Sequence, residues 1–225
     1  MANMTMSTCI YRHFCMMART LELIGERWSL VIVRDLLFGP RRFTDLARAL
    51  NDITPSRLTD RLRRLEAAGI VSREPQPTGR EVWYALTEAG AALEPIVDEL
   101  TLWGIEHTLE SLNPNEPVQP EPGMLGTKVV LKRFAPPPDR ALSWVWRFSP
   151  DDVFRIRFAN GEWDIARGEA EVPDVVVEAE AKAWALFLTS SPRHLPWPGI
   201  RLTGRPAAQA RFASAFYAEL RRSAG

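Results

Sequence analysis

Four prolines within Asn113–Gly123 set the strongest limit on how this chain folds. The segment Asn113-Pro-Asn-Glu-Pro-Val-Gln-Pro-Glu-Pro-Gly123 offers almost nothing apolar to a core, so it predicts an extended, solvated linker. Before it, apolar residues recur at helical spacing; after it, they alternate as in strands. The expected organisation is one domain over 1–112, a linker over 113–123 and a second domain over 124–225. For 225 residues that agrees with the usual ~150 residues per domain.

Hydrophobic residues make up 46% of the chain and charged residues 25%, which argues against disorder, collagen and fibrous coiled coils. Apolar runs such as Leu30–Val33 fall far short of the ~18–20 residues that span a bilayer. No apolar core follows the first basic residues, so no signal peptide is read. The expectation is a cytoplasmic protein with no membrane partner. Cys9 and Cys15 cannot build a disulfide framework, and no Cys/His spacing reads as a zinc site, so neither metal nor cofactor is expected. The only histidines are His13, His107 and His194, and Gly-x-Ser-x-Gly, Walker and Gly-x-Gly-x-x-Gly motifs are absent. No catalytic residue is assigned, and the chain is not read as an enzyme.

A formal net charge of zero hides a segregated distribution. Eleven arginines face six acids between Arg27 and Arg80, whereas Glu81–Pro122 holds nine acids and no base. From Gly123 onward fifteen bases face eleven acids. Of the 28 basic residues 25 are arginine, a bias that genome composition alone can produce. The segregation therefore carries more weight than the arginine preference.

The basic block has its own order. Helices are expected over Arg12–Ile24, Glu26–Phe38 and Thr44–Leu50, the last with Thr44 as N-cap. Asn51-Asp52-Ile53 then makes a tight turn. Thr54 caps a further helix running to Ala68, with Pro55 at the first position, where a missing N–H costs nothing. Ile70–Glu74 and Glu81–Leu86 read as strands joined by Pro75–Arg80. Thr87 caps a long last helix, Glu88 to about Leu109, with Leu93, Ile96, Val97, Leu100 and Trp103 on one face. Two short helices, a three-residue turn and a basic-tipped hairpin form a winged helix-turn-helix.

On the helix over 55–68, Leu58, Leu62 and Leu65 share an inward stripe. Ser56, Arg57, Thr59, Asp60, Arg63 and Arg64 lie away from it, with Arg61 on the flank. Such a helix enters the major groove with its N-terminal residues nearest the base edges. Arg57 is placed for guanine, and Ser56 and Thr59 for a base or phosphate. Arg41, Arg42 and the helix start at Thr44 suit backbone phosphates, as does Thr54. Arg80, at the tip of the wing over 75–81, suits the minor groove. Taken singly, each arginine has the alternative of a solvated face paired with local acids.

These residues also resemble a known family. Cys15-Met-Met-Ala-Arg-Thr-Leu-Glu-Leu-Ile-Gly-Glu-Arg-Trp-Ser-Leu-Val-Ile-Val-Arg-Asp-Leu-Leu-Phe-Gly39 is similar to the HxlR-type transcriptional regulators. So are Arg42-Phe-Thr-Asp-Leu46, Leu58-Thr-Asp-Arg-Leu62, Glu66-Ala-Ala-Gly-Ile-Val71 and Tyr84-Ala-Leu-Thr-Glu-Ala-Gly90. The resemblance covers roughly Cys9–Gly104. It implies a dimeric DNA binder whose first and last helices form the interface, and two-fold symmetry then implies a pseudo-palindromic operator. It also implies a redox or electrophile sensor at Cys15, although Met16 stands where the family usually has proline. A packed thiol is the alternative at Cys15.

In the second half Leu142, Trp144, Trp146 and Phe148 alternate on one strand, Phe154, Ile156 and Phe158 on the next. Asn160-Gly161 turns the chain into Trp163 and Ile165. Asp174–Glu178 predicts a fourth strand, Ala181–Thr189 a helix with Trp184 and Phe187, Gly199–Thr203 a last strand and Pro206–Arg221 a closing helix. Leu125–Phe134 permits helix or strand. Helices on one face of a sheet make this an α+β unit. Its layout resembles the sterol carrier protein fold, which implies a hydrophobic tunnel between sheet and helices. The lining residues would be Trp144, Trp146, Phe148, Phe154, Ile156, Phe158, Trp163, Trp184 and Phe187; the alternative is a filled core.

The fold class expected is therefore α+β, an N-terminal winged helix-turn-helix followed by a sterol-carrier-like sandwich. The function expected is a dimeric repressor on double-stranded DNA, with an apolar small-molecule effector at the C-terminal domain. The rival is a hydrophobic-ligand carrier that uses the winged-helix module mainly to dimerise.

Overall fold

The computed structural model describes residues 14–75, 82–108, 116–189 and 197–217. It divides into two compact units, 1–97 and 98–225. Among the described residues no helix is long and apolar enough to cross a membrane.

The first unit begins with α1 (Met16–Ile24) and α2 (Ser29–Leu36). The second helix starts later than Glu26 because Trp28 adopts φ 81°, a left-handed conformation no helix interior accepts. Next come β1 (Arg41–Arg42), α3 (Phe43–Ala49) and α4 (Pro55–Ala67). Thr44 is not the cap expected of it. Arg42 occupies that position because β1 pairs with the wing and fixes the chain up to Phe43. Strands β2 (Val71–Pro75) and β3 (Val82–Leu86) form the wing hairpin, Val71 opposite Leu86 and Arg73 opposite Tyr84. The three-stranded order is β1-β3-β2.

Thr87 caps α5 (Glu88–Ala91), its hydroxyl accepting the Gly90 N–H at 3.1 Å. A Cβ on Gly90 would collide with the Ile70 carbonyl oxygen, so only glycine lets α5 sit against the start of the wing. The expected single long helix breaks here, and α6 spans Glu94–His107. Pro95 explains the break: in a continuous helix its ring would meet the carbonyl of Ala91. Apolar side chains on α6 point two ways. Val97 and Leu102 are buried, whereas Ile96, Leu100 and Trp103 are exposed. On α1, Met17 and Leu21 are exposed as well.

The second unit opens with α7 (Pro120–Phe134), which settles Leu125–Phe134 as helix. Pro120–Gly123, expected as extended linker, is instead the first turn. Proline at the start of a helix costs no hydrogen bond, and Glu121 is buried against Arg167, whose Nε donates to Oε1 at 2.7 Å. Strands β4 (Leu142–Arg147), β5 (Val153–Ala159), β6 (Glu162–Arg167), β7 (Val175–Ala179) and β8 (Ile200–Gly204) form a sheet of order β6-β5-β4-β7-β8. Only β4 and β7 run parallel. The β5–β6 turn places Asn160 at φ 54° and Gly161 at φ 84°, the positive pair that a tight hairpin of this twist needs. Helices α8 (Ala181–Thr189) and α9 (Pro206–Tyr217) lay Trp184, Phe212 and Phe216 on the sheet face of Trp144 and Trp146.

Candidate nucleic-acid interface

Local chemistry fixes the α3–α4 corner. Leu50 and Ile53 are buried on either side of the turn, and the Ile53 N–H reaches the Leu50 carbonyl at 2.9 Å. Thr54 then caps α4, its Oγ1 accepting the Arg57 N–H at 3.4 Å. Leu58, Leu62 and Leu65 anchor the helix at 0–1% exposure, each contributing about 1.5–3 kcal/mol by burial. The opposite face is thereby fixed in space.

On that face Ser56, Arg57, Asp60, Arg63 and Arg64 are exposed. Thr59 is half-buried, and its hydroxyl donates back to the Pro55 carbonyl at 2.9 Å. The arginines fall into two classes. Arg61 donates to Glu26 Oε2 at 2.5 Å, and Arg64 donates to Glu26 Oε1 at 3.1 Å. Arg64 Nε also meets Asp60 at 3.1 Å. Arg57 and Arg63 have no acidic partner among the described residues.

Arg41 and Arg42 stand on β1 rather than in a loop. Arg41 Nε donates to the Asp35 carbonyl at 3.0 Å, and the Arg42 guanidinium lies 5.0 Å from the Trp83 ring centroid. Thr44 is exposed in the first turn of α3. The wing tip with Arg80 lies outside the described residues. Cys15 is a half-buried free thiol at the N-cap of α1.

Sequence reasoning missed Glu26. Gly25 and Glu26 follow α1 in sequence, but the partner arginines are 35 and 38 positions away, and no local pattern joins them. Arg61 donating to it holds the Glu26 carboxyl below its ordinary range, and the charges of Arg61 and Arg64 pull in the same direction.

The nine side chains expected at an apolar cavity gather in one cluster of the second unit. Trp144, Trp146, Phe154, Ile156, Phe158, Trp184 and Phe187 are buried, while Phe148 and Trp163 are half-buried. Trp146 meets Trp184 at 5.4 Å between centroids, and Trp144 meets Trp163 at 5.2 Å and Phe212 at 4.9 Å. The Trp184 indole N–H donates to Thr127 Oγ1 at 2.7 Å. That of Trp146 finds no acceptor among the described residues.

A helix-turn-helix with a paired wing and an exposed, arginine-bearing second helix defines a protein of the DNA-binding winged-helix class. The profile of the HxlR-like helix-turn-helix family matches residues 23–111, and the chain belongs to that family. It is 42% identical over 89 residues to the uncharacterized HTH-type transcriptional regulator YtcD of Bacillus subtilis, covering 39% of this chain and 71% of YtcD. It is 39% identical over 104 residues to YybR of the same organism, covering 45% of this chain and 83% of YybR. The solved structure of the redox regulator HypR in its reduced form shares 39% identity over 44% of this chain and 100% of its own, with a TM-score of 0.40. The family match ends at residue 111.

Proposed function

We propose that the protein is a homodimeric transcriptional repressor that reads a pseudo-palindromic operator through α4 and the wing. One observation carries this reading. The Leu58–Leu62–Leu65 stripe locks α4 in place, and Arg57, at its N-terminal end, is exposed with no acid to hold it among the described residues. N-terminal residues of such a helix reach base edges, and a guanidinium fork fits guanine O6 and N7. Dimerisation is supported by the exposed apolar faces of α1 and α6, which water solvates poorly. Enrichment of duplexes from a random library by the full chain tests the reading. Inverted half-sites about one helical turn apart, or a multiple of it, are expected. Failure to enrich any duplex overturns DNA reading, and enrichment of a single asymmetric half-site overturns the symmetric dimer.

The C-terminal unit is proposed to bind an apolar effector that shifts operator affinity. Hairpin, central parallel strand, helix, edge strand and closing helix follow in the order on which the sterol-carrier resemblance rests. The specific support is the buried Trp146 N–H, which a ligand acceptor inside the aromatic cluster would satisfy. A native mass spectrum of the full chain is expected to show a dimer with extra, organically extractable mass. A dimer of bare mass whose operator affinity no extracted lipid changes removes the effector. Ligand without salt-dependent DNA affinity would favour the carrier reading. The sensor role implied for Cys15 has its own test: alkylation should change operator affinity, and unchanged affinity removes it.

A further inference from the structure

We propose that Glu26 is a specificity-determining residue of the DNA interface, its carboxylate standing where a backbone phosphate would otherwise engage Arg61 and Arg64. The proposal rests on the reading that α4 meets duplex DNA. Both carboxylate oxygens are used, Oε2 by Arg61 at 2.5 Å and Oε1 by Arg64 at 3.1 Å. Guanidinium forks recognise a carboxylate and a phosphate by the same paired-oxygen geometry. Asp60 supplies a second acid to Arg64 at 3.1 Å and to Arg61 at 3.8 Å, so two cations face two anions and cancel.

Helical spacing aligns Arg57, Arg61 and Arg64 along one flank of α4, at i, i+4 and i+7. Glu26 neutralises the two nearer the C-terminal end and leaves Arg57, the residue nearest the base edges. Exchanging Glu26 for a phosphate swaps one anion for another, so Arg61 and Arg64 add little to sequence-independent attraction. Each arginine that does neutralise a phosphate steepens the salt dependence of binding by about 0.9. Withholding two of them lowers affinity for every duplex alike and raises the share carried by base contacts. Arg64 and Glu26 are 61% and 48% exposed, so that pair is screened and exchangeable, whereas Arg61 is only 12% exposed and its contact with Glu26 also ties α4 to the turn after α1.

The test is a salt titration of the full-length protein against a random-sequence duplex of about 30 base pairs, long enough for two half-sites. Glu26→Gln keeps the side-chain size and removes the charge. It should bind this duplex at least about tenfold tighter at low salt, with the slope steeper by up to about 2 per protomer. Glu26→Asp, which retains the carboxylate, should keep the parent slope. Arg61→Gln and Arg64→Gln should change random-duplex affinity less than about twofold alone, yet each should remove about one slope unit when Glu26 is already Gln. An unchanged slope in Glu26→Gln, or a marked loss in Arg61→Gln alone, overturns the proposal. Should Glu26→Gln lose its helical circular dichroism, the two arginine variants alone decide. A parent protein with no salt-dependent affinity for any duplex overturns the DNA reading itself.

Discussion

The two units satisfy their side chains in opposite ways. The N-terminal unit has an aliphatic core of Ile32, Val33, Leu46, Leu58, Leu62 and Leu65, and it leaves groups of both kinds at its surface without a match. Met17, Leu21 and Ile96 are apolar and exposed, and Arg57 and Arg63 are cationic without an acid among the described residues. The C-terminal unit turns inward. Trp144, Trp146, Phe154, Trp184, Phe212 and Phe216 are each at most 1% exposed, and several of its charges are paired, as in Arg147–Glu169 at 2.8 Å and Arg140–Asp174 at 2.7 Å. The first unit sets itself apart by what it exposes, the second by the aromatic cluster it buries, although the part of α6 after Val97 carries exposed Leu100 and Trp103 into the second unit.

The largest expected effect tests that interior. Trp144→Ala should cost about 3–5 kcal/mol, read as the urea-unfolding midpoint of the C-terminal unit, if the ring is packed on all sides. A cost below about 1 kcal/mol would break the comparison, because it would show that the buried ring makes few packing contacts. Next is the outward apolar face. Trp103 is 58% exposed on α6, and Trp103→Glu should weaken the dimer by about 2 kcal/mol or more, visible by sedimentation as a shift toward monomer. An unchanged oligomeric state would mean that α6 is not part of the interface.

Arg57→Ala sharpens the same contrast on the polar side. It should cost about 1–3 kcal/mol of operator affinity while leaving the melting temperature in place, since the side chain is exposed and has no acidic partner among the described residues. Thr54→Ala should weight the two the other way, removing about 1 kcal/mol of stability through the lost cap and costing less operator affinity than Arg57→Ala. Urea unfolding and duplex titration of both variants check the pair. Equal losses of stability and affinity in each would show that the start of α4 cannot be divided into a support and a reader.

What was legible in the sequence was written in short-range chemistry. Thr54-Pro55, Thr87 and Asn160-Gly161 act within a few residues, so the start of α4, the cap of α5 and the β5–β6 hairpin could be placed. The Ala181–Thr189 helix was equally plain, carried by the spacing of Trp184, Phe187 and Leu188. The misses depend on distant partners. Pro120–Gly123 is helical because Glu121 finds Arg167, and β1 exists only because β3 is beside it. Glu26 is paired with arginines more than thirty positions away. The break before α6 is different: Pro95 announced it, and only the strength of the surrounding apolar pattern obscured it.

The smallest effect belongs to pH, and it separates the Glu26 clamp from other titrating groups. The hydrogen bond from Arg61 is the main cause that holds the Glu26 carboxyl below the ordinary 4.5; partial burial opposes it, and the Arg61 and Arg64 charges reinforce it. A group depressed in the folded chain contributes stability that is present above its unfolded value and is lost as pH falls through the folded one. From pH 7 to 5 the carboxylate therefore stays charged and keeps its two arginines. Comparing the parent with Glu26→Gln at each pH isolates this carboxylate, and the difference between the two salt slopes should be the same at pH 7 and pH 5. A difference that shrinks at pH 5 would mean that Glu26 is already taking up a proton there, which a carboxyl held by Arg61 does not do.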